Sequence, residues 1–215
     1  MTRTRNYFIT PIPEIEEAVT LLGQAADAFL SGYNGLAGKL IARADDPEIA
    51  KFYRRIVGKT DPKIHWQSSQ PKNPVPKSER STTRMPSPKK QTEIFQRDGW
   101  RCRYCGTRVI SRAARKVFIL NFPVETHWVS SYKYGGHSAL LSQGVSLDHI
   151  RPISRGGDNE PDNFVTACGT CQFGRNQWTL EEVGFTNPKD RPPVVDGWDG
   201  LTRLLKAPRT LRVPT

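Results

Sequence analysis

Near the start of the chain, apolar residues recur at helical spacing. Ile15, Val19, Leu22 and Ala26 fall at i, i+4, i+7 and i+11, with Leu21 and Ala25 beside them, so one face of a helix is apolar. Pro13 suits the first turn of that helix, and Gly32 suits a stop near Ser31. The pattern predicts a second helix from Leu36 to Ala44 and a third from Pro47 to Ile56. Asp45 or Asp46 is expected to cap the third, which carries a stripe of Tyr53, Ile56 and Val57. Residues 1–57 thus read as a small N-terminal helical module. The pattern assigns it packing or dimerisation and no chemistry.

The periodicity then stops. From 58 to 91 prolines and serines dominate, and eight Lys or Arg residues face only Asp61 and Glu79. So few apolar groups cannot offset the entropy of ordering, which makes this stretch a basic linker. It serves as a solvated tether or as an arm along phosphates. Order returns with a short helix after Pro88, closed by Asp98-Gly99 and turning into Trp100. Val117 to Phe122 and Thr126 to Tyr132 alternate like strands and predict an extra hairpin. Most of its aromatics are expected in the core, and His127 and His137 at the surface or in hydrogen bonds. Val145, Leu147 and Ile150 mark a strand edge, and Gly156-Gly157-Asp158 forces a turn. An apolar segment after Asn163 follows, giving strand, turn, strand, helix. The proline-rich 184–215 tail holds one short docking helix, Trp198 to Leu205.

Composition narrows the class. Of 215 residues, 32 are Lys or Arg and 21 are Asp or Glu, a net charge of +11. No run of about 20 apolar residues exists, so no membrane span is expected. The first ten residues lack an apolar signal core, which predicts a cytoplasmic chain. A basic excess of this size points to nucleic acid, an anionic membrane or a solubilising tail. Beyond the linker it concentrates in Arg101, Arg103, Arg108, Arg112, Arg115 and Lys116, with no acid between 101 and 116.

All four cysteines form two pairs, Cys102-x-x-Cys105 and Cys168-x-x-Cys171. Two such knuckles complete a tetrahedral thiolate cage for structural zinc, with no position left for substrate. A structural disulfide is disfavoured in a cytoplasmic chain. A redox pair is disfavoured without a thioredoxin-like βαβ pattern. Between the pairs lies Leu147-Asp148-His149-Ile150-Arg151-Pro152, then Ser154-Arg155-Gly156-Gly157 and Asp162-Asn163. Gln172 and Asn176 follow at i, i+4 spacing, on one face of a helix.

The linked run CRYCG … LDHIRPISRGGDNEPDNFVTACGTCQFGRN resembles the HNH endonucleases. The resemblance covers about residues 90–183. It implies an α+β fold, a ββα-metal (HNH) nuclease domain with zinc knuckles, added to the N-terminal helices. The expected organisation is 1–57 helical, 58–91 linker, 92–183 nuclease domain with an insertion at about 107–145, and 184–215 tail. By resemblance, His149 is the general base that takes a proton from the attacking water. Asn163 pins the loop that orients it, and Asp148 binds a catalytic Mg²⁺ or another divalent cation. The second ligand to that ion is Asn176 or Gln172, the latter standing where the family has His or Asn. Arg101, Arg103, Arg151, Arg155 and Arg175 are expected to meet phosphates, and the insertion to help choose the substrate. The function implied is metal-dependent hydrolysis of phosphodiester bonds in DNA, with a homodimer as one route to double-strand cleavage. The competing reading is a zinc-stabilised DNA-binding protein whose HNH site has decayed, motivated by Gln172.

Overall fold

The computed structural model describes residues 10–57, 74–80, 85–129 and 135–206. Three helices open it: α1 (Pro13–Leu30), α2 (Asn34–Arg43) and α3 (Pro47–Val57). Pro13 takes the first position of α1, where a missing N–H breaks no helical bond. α2 begins two residues before the expected Leu36 because its first turn lies outside the core. Tyr33 and Leu36 are exposed there, and the buried face starts at Ala37. At α3, Asp46 does the capping, its Oδ1 accepting from the Glu48 N–H at 2.7 Å. Asp45 instead accepts from the Ser138 N–H and pairs with His127.

Further along run α4 (Pro88–Arg97), α5 (Arg112–Asn121), α6 (Pro123–Thr126) and α7 (Ser138–Ser142). The strands β1 (Val145–His149) and β2 (Phe164–Cys168) pair antiparallel, with Val145 opposite Cys168 and His149 opposite Phe164. α8 (Gly169–Arg175) follows β2 without a loop. Among the described residues no helix is long and apolar enough to cross a membrane.

The expected hairpin is not formed: Val117 to Phe122 falls on and just after α5. Ser111 caps that helix, its Oγ accepting from the Ala114 N–H, and Ala114, Val117 and Phe118 are buried at i, i+3, i+4. A short apolar run such as Val117 to Leu120 fits either period, and the cap and the upstream alanines decide for helix. Thr126 of the second expected strand belongs to α6, and residues 130–132 lie outside the described residues.

α1–α3 share one apolar core with α5, α7 and the C-terminal turn bearing Leu201 and Leu204. A second core surrounds the ribbon, built from Ile94, Phe95, Trp100, Val109, Leu147, Phe164 and Val165 with three of the cysteines. Polar clamps tie α1 to the ribbon side through Arg108 and to the C-terminal turn of its own core through Arg203. Arg108 donates to Glu16 Oε2 at 2.7 Å and to Thr20 Oγ1 at 2.6 Å, and Arg203 reaches Asp27 and the Gly23 carbonyl. Of the linker stretch, residues 74–80 lie on the loop after β1, the Val75 N–H donating to the Ser154 carbonyl at 2.8 Å.

Two outcomes follow from this packing. Phe118 is fully buried in the first core, so Phe118→Ala should cost about 3–5 kcal/mol in urea unfolding. His137, also fully buried, hydrogen-bonds the Ile41 carbonyl through Nε2 at 2.9 Å and accepts from the Leu140 N–H at Nδ1. A carbonyl can only accept, so the ring is the neutral Nε2–H tautomer, and burial pushes its pKa down. As pH falls below about 6.5 the unfolded chain takes up this proton before the folded one, and stability is lost. Urea melts of wild type should therefore weaken between pH 7 and pH 5 more steeply than those of His137→Gln.

Candidate functional site

The four sulfurs come together from three places. Cys102 and Cys105 sit on a turn closed by the Gly106 N–H donating to the Cys102 carbonyl at 2.8 Å, with Gly106 at φ +82. Cys168 ends β2 and caps α8, its Sγ accepting from the Cys171 N–H at 3.4 Å. The Arg103 N–H donates to the Thr166 carbonyl, joining the turn to β2. All four ligand atoms lie within 4.8 Å of one another, and no disulfide links them. Cys105 and Cys168 are 3.8 Å apart, the sulfur spacing of about 3.8 Å that a tetrahedron with Zn–S near 2.3 Å requires. Thiol contacts push Cys105 down and Cys168 and Cys171 up. Packed this closely, the thiols cannot all ionise unless a cation compensates. The donor set fits zinc.

β1 carries Asp148 and His149 to the end of the ribbon. The His149 ring lies 4.4 Å from the cross-strand Phe164 ring, and its Nε2 is 2.9 Å from Asn159 Oδ1. Asn163 staples the intervening loop. Its Oδ1 accepts from the Arg151 N–H at 2.8 Å, and its Nδ2 donates to the carbonyls of Arg151 and Asp158. Gly157 is fixed by the same staple: an added Cβ would stand 1.9 Å from the Arg151 carbonyl oxygen. The paired glycines of the motif thus serve a close backbone approach as well as a turn.

Asp148 is buried and engaged on both oxygens. Arg175 donates from Nε to Oδ2 at 2.7 Å and from Nη2 to Oδ1 at 2.8 Å. The Tyr104 hydroxyl donates to Oδ2 at 2.7 Å. Burial holds the Tyr104 pKa well above its ordinary value, so the hydroxyl keeps its proton. Burial disfavours the Arg175 charge, but Asp148 outweighs it and the pKa rises. Breaking such a buried pair typically costs about 3–5 kcal/mol.

The residues expected to hold a divalent ion are not gathered around an open carboxylate. Gln172 lies along β1, its amide 3.5 Å from the Leu147 carbonyl oxygen. Asn176 caps the end of α8 at φ +52 and is exposed. With Asp148 neutralised by a guanidinium, this donor set as it stands does not fit a divalent cation.

All five arginines expected at phosphates donate to the protein, three of them to acceptors that include a distant segment. Arg175 is 1% exposed. Arg101 reaches the Gly106 carbonyl and Asp196, and Arg103 the carbonyls of Pro188 and Arg191. Each meets an acceptor from a distant segment, which sequence spacing does not reveal. Arg155 pairs with Glu182, while Arg151 is exposed and donates to the Arg155 carbonyl. Tyr104 and Asn159 carry site contacts that sequence reading assigned to neither. The one signal for Tyr104 is its place between two cysteines of a knuckle.

A two-stranded ribbon thus runs into a helix, with Asp-His at the strand end and a cysteine cluster at the helix start. Residues 134–172 match the family model for HNH endonuclease. No curated protein and no solved structure matches the chain.

Removal of zinc tests the cysteine cage. The chain should hold about one zinc, with Cys168→Ser lowering that content. Chelator should lower the melting temperature, and acid should release the metal because thiolates are the ligands. A melting temperature indifferent to chelator contradicts this.

Proposed function

We propose that this chain is an HNH-type endonuclease that hydrolyses phosphodiester bonds in DNA, with His149 as the base that activates water. The observation that carries this reading is the ribbon end within the matched segment. There His149 is held between Asn159 and Phe164 while Asn163 staples the loop beyond it. A water oxygen attacks phosphorus, His149 takes the water's proton, and the bond from phosphorus to the leaving sugar oxygen breaks, that oxygen taking a proton from solvent. Asn163 is a positioning residue, since it acts on the loop and through it on His149. Arg151 supplies exposed positive charge beside this loop, and residues 74–80, with Lys77 exposed, extend it. The donors at Asp148, closed by Arg175, do not fit a divalent ion as they stand. One such site makes one cut per visit, so breaking both strands takes two copies or two successive nicks.

A second reading, a zinc-stabilised DNA-binding protein that no longer cleaves, is favoured by the closed ion pair at Asp148. Plasmid nicking separates the two. On the nuclease reading, wild type nicks supercoiled DNA and His149→Ala loses about 10²–10⁴-fold in rate while DNA binding is kept. Salt-sensitive binding with no nicking by either protein leaves the second reading standing.

A further inference from the structure

We infer that Arg175 is the resident cation of the HNH site, neutralising Asp148 in place of a divalent ion and holding the His149 backbone. A guanidinium has five N–H donors, and here all five are used inside the protein. Nε and one Nη2 hydrogen go to the two Asp148 oxygens, and the other Nη2 hydrogen goes to the His149 carbonyl. The two Nη1 hydrogens go to the carbonyls of Ile150 and Trp178. The side chain is 1% exposed, and its face stacks 5.8 Å from the Tyr104 ring, whose hydroxyl takes a further lone pair of Asp148. An ion arriving at Asp148 meets a carboxylate with one unused lone pair, already neutralised and next to a fixed positive charge. Moving Arg175 aside would strip five buried donors of their acceptors, a loss no single ligand contact makes up. The same bonds fix the backbone of His149 and Ile150, so Arg175 is a positioning residue for the histidine. The inference rests on the HNH reading only for placing a divalent ion at Asp148.

Manganese is the probe, because its aqueous electron paramagnetic resonance signal falls as it binds. In the zinc-loaded full chain, no site tighter than about 1 mM should depend on Asp148. Arg175→Gln removes the charge and should tighten Mn²⁺ binding at least about tenfold, and the added Asp148→Asn should abolish the gain. Arg175→Lys, which keeps the charge, should stay like wild type. A wild-type site of submillimolar affinity that Asp148→Asn removes, with zinc content unchanged, overturns the inference. The wild-type arm also stands without variants. Broadening of the His149 ring resonances by submillimolar Mn²⁺ overturns the inference, and sharp resonances support it. The two proposals fail separately. A chain that neither nicks DNA nor takes up Mn²⁺ refutes the nuclease reading and keeps this one. One that nicks DNA with Mn²⁺ bound through Asp148 does the reverse.

Discussion

Four sulfurs within 4.8 Å of one another, three of them buried, cannot carry their charge without a cation, and the ribbon is built around that constraint. Cys168 is at once the last residue of β2 and the cap of α8. The other knuckle reaches the same strand through the Arg103–Thr166 hydrogen bond. Fixing the sulfurs therefore fixes where β2 ends and α8 begins. It also fixes which residues of α8 meet β1, and so where Arg175 meets Asp148. Ile15, Phe52 and Ile56 of the N-terminal helices line the space beside the cysteines, so the helical core and the ribbon core meet at the cysteine cluster.

Part of the positive charge in this protein is used internally. The uninterrupted cationic run of 101–116 would suggest a phosphate track, yet most of its arginines bind the protein. Arg108 clamps α1, Arg112 donates to the Val145 carbonyl, and Arg115 donates to the Leu140 carbonyl and stacks on Trp128. The guanidinium suits such duty because its planar fork satisfies several backbone carbonyls at once. Outward positive charge near the histidine includes Arg151 on the loop after β1, the 74–80 stretch beside it and Arg97, which donates to the Phe164 carbonyl. The insertion, expected as a hairpin, is helical and adds Phe118 and Val117 to the apolar core.

The local elements were legible in the sequence where a single physical signal set them. Helical periodicity with Pro13 at its start placed α1, and the two CxxC pairs announced the cluster of four sulfurs. The strand edge and the turn at the paired glycines were legible in the residues, while the part of Asn163, which bonds Arg151 and Asp158, came only from the resemblance. Val117 to Phe122 misled because a four-residue apolar run fits both periods, and the cap at Ser111 outweighed it.

What the chain by itself determined, then, is the set of local elements and the chemistry available: sulfurs for a cage, a histidine at a strand end, an excess of positive charge. Tertiary structure decided which charges meet. Asp148 and Arg175 are 27 residues apart, and Tyr104 is 44 from Asp148. Neither periodicity nor motif spacing encodes such a pairing, because a buried carboxylate takes whichever cation the packing brings within reach. In this fold that cation is the protein's own.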